Sequence, residues 1–250
     1  MKLIKNKKER EAMILSGQKL ARVFQSISFE MLINQTTKNI DFMIQSLLDI
    51  HGMVSQCKGY RGYTGYSCIS INDELVHGVP GDRIVKETDL VKIDICAAYN
   101  GFCADSARPY GFFENNILFN SMKECAEFAL DKGISEMKVG GSVGCISSSI
   151  QKIILQYGYS VVTDFAGHGI GANMHEDPEV PNYGVYGSGQ KLYVGMALAI
   201  EPMFCEHSQD LVIDSKDKWT AKTKDKGIAM HIEDTVILDE SGTIITTRLK

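Results

Sequence analysis

Apolar residues follow one succession of patterns twice along this chain, and this repetition constrains the fold more than any other feature of the sequence. In the first half, helical spacing followed by extended patterns occupies residues 5–25, 39–53, 66–71, 90–98 and 102–112. In the second half, the same order occupies residues 116–137, 142–157, 160–163, 192–204, 211–215, 231–238 and 243–247. We therefore expect one α+β domain over residues 1–250, in which helices back a strongly curved antiparallel sheet. The residues themselves do not repeat, so the relation between the halves concerns only the order of elements.

The composition restricts the class of protein further. Hydrophobic residues make up 44% and charged residues 23% of the 250 residues, which is typical of a globular chain. The formal net charge of -5 argues against a nucleic-acid-binding protein, because neutralising phosphates needs a basic surface. The N-terminal stretch MKLIKNKKEREAM has no apolar core, so we expect no secretory signal, and no apolar run approaches the roughly 20 residues that span a bilayer. The seven cysteines form no CxxC pair, which argues against a disulfide framework or a cysteine zinc site and favours the reducing cytoplasm.

Three carboxylates interrupt apolar extended segments. Asp94 lies in LVKIDICAA, Glu201 in MALAIEPMF and Glu233 in AMHIEDTVIL. Burying an unpaired carboxylate costs free energy, so such a residue normally faces solvent, pairs with a base or binds a metal. For any single one of them an outward-facing side chain is the simplest interpretation, but three in one chain favour a shared site.

A predicted turn places a fourth carboxylate near this set. Asn100-Gly101 predicts a tight hairpin, because both residues tolerate positive φ. A two-residue loop places Asp94 opposite position 107, so Asp105 becomes its diagonal neighbour on the same face, roughly 7–8 Å away between Cα atoms. A one-residue bulge would reverse this parity. Since no basic side chain accompanies the two carboxylates, the pair favours cations.

Histidines add nitrogen donors to this set. His168 lies in the glycine-rich stretch GHGIG, His175 follows seven positions later, and His77 lies in NDELVHGVP. The remaining histidines are interpreted as structural or surface residues: His51, His207 and His231. Four carboxylates with one or two imidazoles form a hard donor set that suits a pair of Mn, Fe, Co or Zn ions. Such a pair acidifies a shared water and polarises a carbonyl, which is hydrolytic chemistry.

Several motifs in register along the whole chain resemble those of type I methionine aminopeptidases of the short bacterial form. They are CKGYRGYTGYSCISINDELVHGVP, VKIDICAAYNGFCADSA, GHGIGANMHEDPEVP, ALAIEPMF and KWTAKTKDKGIAMHIEDT. The resemblance implies a pita-bread fold with pseudo-twofold halves, and release of the initiator methionine from nascent proteins when the second residue is small. It also implies a dinuclear site in which Asp105 and Glu233 bridge the ions. The full ligand set that it implies is Asp94, Asp105, His168, Glu201 and Glu233.

The same resemblance assigns roles around the metals. It implies that His77 and His175 bind substrate and stabilise the transition state, and that Glu201 takes a proton from the attacking water. The implied pocket for the methionine side chain consists of Cys57, Tyr60, Tyr63, Cys68, Met174 and Trp219. A slot rich in sulfur and aromatic rings suits a flexible thioether. Without the resemblance, core packing would explain these six residues.

The sequence departs from the family pattern at a few positions. Arg61 stands where relatives often have His, Cys96 where Thr is common, and Asp234 where His commonly follows the last ligand. Residues 172–174, Ala-Asn-Met, replace a stretch that contains Arg and ends in Phe. No implied ligand is lost. The departures therefore concern the rim and size of the substrate pocket and, for Asp234, the charge beside the metals.

Three other functions compete with this one. Residues 140–144 match GxSxG, the nucleophile elbow of serine hydrolases, but only residues 137–139 could form the buried strand that the elbow needs. Ser142 is better explained as the N-cap of the helix that follows. A non-catalytic binding protein of this fold usually lacks ligands, whereas all five positions are filled here. A proline-directed peptidase of this fold is disfavoured by the short chain and by the methionine-pocket residues.

The expected partners are the N-termini of nascent polypeptides, which a cytoplasmic monomer would process without contacting DNA or membrane. The segment DSKDKWTAKTKDK carries five lysines, which would suit docking on the ribosome. Its interspersed Asp214, Asp217 and Asp225 favour a solvated loop instead.

Overall fold

The computed structural model describes residues 3–249, except the side chain of residue 115. The α-helices over this range are α1 (Lys7–Gln25), α2 (Phe29–Leu32), α3 (Thr37–Ile50), α4 (Ile117–Ser135) and α5 (Val143–Gln156). The strands are β1 (Val54–Ser55), β2 (Cys68–Ile71), β3 (Glu74–Val76), β4 (Val91–Tyr99), β5 (Phe102–Tyr110), β6 (Ser160–Val161), β7 (Ala166–Gly169), β8 (Glu176–Pro181), β9 (Ala197–Ile200), β10 (Met203–Cys205), β11 (Leu211–Ile213), β12 (Ala221–Thr223), β13 (Ala229–His231), β14 (Glu233–Asp239) and β15 (Gly242–Ile245). Short 3-10 turns lie at Tyr60–Gly62 and Phe113–Asn115.

One curled antiparallel sheet forms the centre of the fold. Seven of its strands follow the order β1-β4-β5-β14-β9-β7-β8, while β2 pairs with β4 and β15 pairs with β14. Strands of the first half meet strands of the second half where β5 pairs with β14, with Glu233 opposite Ala107 and Asp234 opposite Ser106. Two three-stranded sheets, β13-β10-β6 and β11-β12-β3, complete the fold. The predicted α+β architecture with a curved antiparallel sheet is confirmed.

Helices of the two halves pack on this sheet. Helix α1 begins at a capping box, in which the Asn6 side chain accepts from the Glu9 N–H and the Glu9 carboxylate accepts from the Asn6 N–H. Residues of α1, α3 and β4 share one core, which includes Leu20, Val23, Phe24, Ile40, Ile44, Leu48, Ile93, Ile95 and Ala97. Helices α4 and α5 share a second core with β9 and β14. Since alternate residues of a strand point to opposite faces, Asp94 of β4 points away from the helices.

The element order agrees with the prediction, apart from short elements that the apolar pattern does not show. The extended pattern at 192–204 divides into β9 and β10. A turn with Gly195 at φ +93° delays the start of β9, and Pro202, which has no N–H, separates β9 from β10. The one-turn helix α2 and strands β1, β3, β7, β8 and β12 are absent from the prediction, since they are short or carry glycine, proline and charged residues. Among residues 3–249, no helix is both long and apolar enough to cross a membrane.

Candidate metal centre

A cavity of about 740 Å³ brings the predicted functional residues together. The five implied metal ligands all line it: Asp94, Asp105, His168, Glu201 and Glu233. The two implied substrate histidines and the six implied pocket residues line it as well: His77, His175, Cys57, Tyr60, Tyr63, Cys68, Met174 and Trp219. These residues come from both halves of the chain, so the curled sheet is what assembles them.

The hairpin of β4 and β5 supplies the first two carboxylates. Asn100 and Gly101 form its turn with φ of +50° and +80°, and Asp94 lies opposite Ala107. The predicted parity is therefore confirmed, and Asp94 and Asp105 share a face of the sheet. The N–H of Asp105 donates to the Thr235 hydroxyl at 2.9 Å, and that hydroxyl donates back to the Asp105 carbonyl at 2.8 Å. This reciprocal pair fixes the Asp105 backbone against β14.

His168 lies on β7 between two glycines that allow neighbouring strands to come close. A Cβ at Gly169 would lie 2.0 Å from the Asp177 carbonyl oxygen, and one at Gly167 would lie 2.5 Å from the Ala199 carbonyl oxygen. The Nδ1 of His168 is 2.9 Å from the Gly169 carbonyl, which can only accept, so Nδ1 carries the proton. The lone pair is then on Nε2, 3.6 Å from Glu201 Oε1 and 3.9 Å from Asp105 Oδ2. This is the tautomer that a metal ligand needs.

The four carboxylates are held together against their mutual repulsion. Burial, together with the neighbouring Glu201 carboxylate, raises the pKa of Asp105 to about 7. Burial and the Asp105 carboxylate raise the pKa of Asp94 well above its ordinary value, and the same two causes raise the pKa of Glu233. Burial raises the pKa of Glu201 as well. Without cations the cluster therefore retains protons near neutral pH.

The donor set fits divalent metal ions. Asp105 Oδ1 and Glu233 Oε1 are buried and have no hydrogen-bond partner among the described residues. Donor atoms of Asp105, His168 and Glu233 all lie within 4.8 Å of one another. Buried, unpartnered carboxylate oxygens are costly unless they coordinate a cation, so a metal explains their arrangement.

The sequence pattern indicates a structural or surface position for His231, and the structure contradicts the surface position. Its side chain lines the same cavity and is 2% exposed. The spacing His231-x-Glu233 contained the signal, because residues two apart in an extended segment point to the same face. Burial lowers the pKa of His231 to about 3, so its imidazole is neutral at pH 7.

The two histidines that the resemblance implies as substrate-binding, His77 and His175, line the cavity beside the carboxylate cluster. His77 adopts φ +59°, and its ring contacts Phe165 and Trp219 edge-on, with centroid distances of 5.4 Å and 6.1 Å. His175 lies beside His168, with ring centroids 4.4 Å apart, and its Nδ1 is 3.0 Å from the Tyr60 hydroxyl. Burial lowers the pKa of His77 to about 4, so this imidazole is also neutral at pH 7.

The implied methionine slot is closed by aromatic rings and thiols. Tyr63 is buried, its hydroxyl donates to the Gly78 carbonyl at 2.8 Å, and its ring meets the Trp219 ring edge-on at 5.3 Å. Cys57 and Cys68 are buried in the same apolar cluster. Arg61 lies exposed at the rim, where its guanidinium is 5.3 Å from the centre of the Tyr60 ring. This departure therefore changes the entrance rather than the lining of the slot.

Asp234 points away from the metal ligands. Its buried carboxylate accepts from Arg108 Nη2 and from Arg248 Nε, each at 2.6 Å, and from the Thr247 hydroxyl at 2.7 Å. Since Glu233 precedes it on β14, this network anchors the strand that carries the Glu233 carboxylate. Asp234 therefore ties the segment around residues 247–248 to the sheet, and its charge is neutralised by two guanidinium groups.

The nucleophile elbow is contradicted by the position of Ser142. Its side chain is fully buried, and its hydroxyl contacts the Cys145 thiol at 3.4 Å. Ser142 occupies the N-cap position of α5, although its side chain makes no capping hydrogen bond. An elbow serine must present its hydroxyl to a substrate, so the serine-hydrolase alternative fails.

Metal binding should release protons from this cluster. Carboxylates coordinate in the ionised form, whereas burial and mutual repulsion keep the pKa of Asp105 at about 7 and raise the pKa of Glu233. Affinity for Mn²⁺ or Co²⁺ should therefore fall as pH is lowered from 8 to 6. Calorimetric titrations at pH 6.5 in buffers with different ionisation enthalpies measure the released protons. Identical apparent enthalpies in all buffers would contradict the prediction.

Comparisons with known proteins agree with this geometry. Residues 7–240 match the model of metallopeptidase family M24. The chain is 36% identical to methionine aminopeptidase 1 of Bacillus subtilis over 249 residues, with 100% of both chains covered. The crystal structure of methionine aminopeptidase from Thermotoga maritima superposes with a TM-score of 0.94 at 34% identity, again covering 100% of both chains. The prolidase from Pyrococcus furiosus shares the fold with a TM-score of 0.76, but at 22% identity and over 66% of its own length. This chain therefore belongs to metallopeptidase family M24 and, within it, to the methionine aminopeptidases.

Proposed function

We propose that this chain, as one catalytic domain over residues 1–250, removes the initiator methionine from polypeptides whose second residue is small. The observation that carries the proposal is that one cavity joins a carboxylate cluster to a slot lined by thiols and aromatic rings. The cluster would hold two divalent ions of Mn, Fe, Co or Zn, since four carboxylates neutralise two such ions. Asp105 and Glu233 would be shared by both ions. The proposed ligands are Asp94, Asp105, His168, Glu201 and Glu233.

Such ions, when bound, polarise a peptide carbonyl and lower the pKa of water. The side chains of the cavity perform the remaining steps. Glu201 accepts a proton from the attacking water and returns it to the nitrogen that leaves as the C–N bond breaks. The Tyr60 hydroxyl engages Nδ1 of His175, which leaves Nε2 to hydrogen-bond the oxygen of the scissile carbonyl. His77, neutral at pH 7, contacts the scissile nitrogen.

Selection of the N-terminus follows from the same arrangement. A free α-amine has a lone pair that a divalent ion can bind, whereas the nitrogen of an acylated amine has no available lone pair. We expect the protein loaded with Mn²⁺ or Co²⁺ to release methionine from Met-Ala-Ser peptides and to leave the N-acetylated peptide intact. Treatment with a chelator should abolish release, and added metal should restore it. Mass spectrometry of the products measures both reactions; comparable cleavage of the acetylated peptide would refute the proposed role of the amine.

The residue after methionine should be selected by size. It must lie beside the carboxylate cluster, where Phe165 packs against His77 at a centroid distance of 5.4 Å. We expect cleavage of Met-Ala, Met-Gly and Met-Ser peptides and little cleavage of Met-Leu or Met-Lys. A competition between Met-Ala and Met-Leu peptides in one tube removes differences in enzyme loading. Equal rates for the two would show that size is not the criterion.

The proposed substrates are nascent polypeptides in the cytoplasm, and the proposed state is a monomer. The lysine-rich segment at 214–226 gives little support to ribosome docking. Lys222 pairs with Asp214 at 2.8 Å, and Asp217 accepts from the Trp219 and Thr220 N–H groups at 2.8 and 2.9 Å. Residues 221–223 of this segment form β12, which pairs with β11 and β3, so the segment is an ordered part of a small sheet and the expectation of a solvated loop is wrong there.

A further inference from the structure

His231 occupies a position from which an imidazole can reach the cluster directly. It ends β13, where it pairs with Met203, and it lies two residues before Glu233. Its Nε2 is 3.2 Å from Glu201 Oε2 and 3.9 Å from Glu233 Oε2. Nevertheless, within the part of the chain that the structure describes, this buried nitrogen has no hydrogen-bond partner.

An unpartnered ring nitrogen between two carboxylates is unfavourable in the protein alone. A lone pair there would repel ionised carboxylate oxygens, and a proton on the ring or on a carboxyl would be expected to form a hydrogen bond between them, which the described residues do not show. A cation between the groups removes both difficulties. Two ligand atoms about 2.1 Å from one ion, at angles between octahedral and tetrahedral, are about 3.0–3.4 Å apart. The separation of 3.2 Å between His231 Nε2 and Glu201 Oε2 falls in this interval.

The cluster also divides into two donor sets, each with its own imidazole. One set consists of Asp105, His168 and Glu233, and the other of Glu201, His231 and Glu233. Glu201 lies between the two rings, with Oε1 3.6 Å from His168 Nε2 and Oε2 3.2 Å from His231 Nε2. Glu233 is common to both sets.

We propose that His231 Nε2 is a direct metal ligand, so that the centre is held by two imidazoles and four carboxylates rather than by one imidazole and four carboxylates. This inference rests on the proposed use of divalent ions. A second neutral nitrogen adds no charge, and it shifts the preference of the centre from Mn²⁺ toward Co²⁺, Zn²⁺ and Fe²⁺, which bind imidazole more strongly.

X-ray absorption of the full chain loaded with two equivalents of Co²⁺ tests this directly, because imidazole rings scatter in a recognisable pattern. The wild-type protein should show an average of one imidazole per ion. His231→Gln should show half of that, since glutamine keeps an N–H that can face Glu201 but loses the ring nitrogen. We also expect its affinity for Co²⁺ to fall by about 10–100-fold, the loss typical of removing a group that supports a metal site. His207→Gln is the matched control, because that side chain is 65% exposed and pairs only with Glu206 at 3.5 Å in the described structure.

The outcomes separate the inference from the function on which it rests. Wild-type protein that binds two Co²⁺ ions with half an imidazole per ion overturns the role of His231 alone. A His231→Gln protein with wild-type imidazole count and affinity does the same. Failure of the wild-type protein to bind Co²⁺ at all would overturn the proposed metal centre as well. The wild-type spectrum decides the question even when the variant does not fold.

Discussion

Asp105→Asn should lose metal and methionine release together. The amide keeps the shape of the side chain but replaces a charged oxygen by a neutral group at a position where Oδ1 is buried and unpartnered. The cluster would then hold its cations with one negative charge fewer. We expect turnover to fall by about 10³-fold or more, as when a major electrostatic contribution to catalysis is removed. Metal content after dialysis, by plasma mass spectrometry, and methionine release from a Met-Ala peptide measure the two losses.

Thermal unfolding of the metal-free proteins shows whether this variant folds as well as the wild type. Burial and the Glu201 carboxylate raise the pKa of Asp105 to about 7, so an ionised Asp105 is unfavourable in the metal-free protein. Metal-free Asp105→Asn should therefore melt at pH 8 no lower than metal-free wild type. Asp49→Asn, at an exposed residue of α3 outside the lining of the cavity, should leave metal content and turnover unchanged. Full turnover of Asp105→Asn with two bound ions would contradict its role as a shared ligand.

His77→Ala should keep both metals and lose turnover by about 10²–10⁴-fold, the usual contribution of a group that handles protons or hydrogen bonds in the transition state. His77 lies outside both donor sets around Glu233, so the metal content should not change. The expected loss is in kcat more than in KM, because the proposed contact is to the scissile nitrogen.

The backbone at His77 requires a second variant. Its φ of +59° is unfavourable for alanine but not for glycine, so His77→Ala could act through strain. His77→Gly removes the ring without that strain and should lose as much turnover as His77→Ala. A glycine variant with wild-type turnover would show that the imidazole has no chemical role. His207→Ala, an exposed substitution remote from the cavity, is the matched control.

The hairpin shows how much of the site local patterns can predict. Asn100-Gly101 defined the turn, and the pleat then placed Asp94 and Asp105 on one face without any knowledge of distant strands. The pairing of β5 with β14, which adds Glu233, joins segments that are separated along the chain by helices α4 and α5 and several strands. Its register depends on tertiary packing. The carboxylates in apolar segments indicated a shared site that includes this glutamate, whereas its role as a bridging ligand with Asp105 came only from the resemblance to the family.

The strand β7 and the residue His231 show where the patterns fail. β7 reads Ala-Gly-His-Gly, whose glycines are typical of a turn, yet they permit the approach of the Asp177 and Ala199 carbonyls that makes it a strand. The placement of His231 in the cavity could be predicted from the two-residue period that links it to Glu233, but a lone histidine is more often structural than a ligand. For β7 the deciding contacts come from other parts of the chain, whereas the signal for His231 was local and weak.

The reciprocal hydrogen bonds between Asp105 and Thr235 connect residues 130 positions apart and have a consequence for biosynthesis. During translation the hairpin can form early, because its contacts are local, and it then presents only an isolated pair of acids. The remaining donors come together around this pair only after the ribosome has passed Glu233 and β14 has docked between β5 and β9. An ion that binds then closes a very long loop and stabilises the docked state. A growing chain is therefore expected to stay inactive until β14 has emerged and docked beside β5.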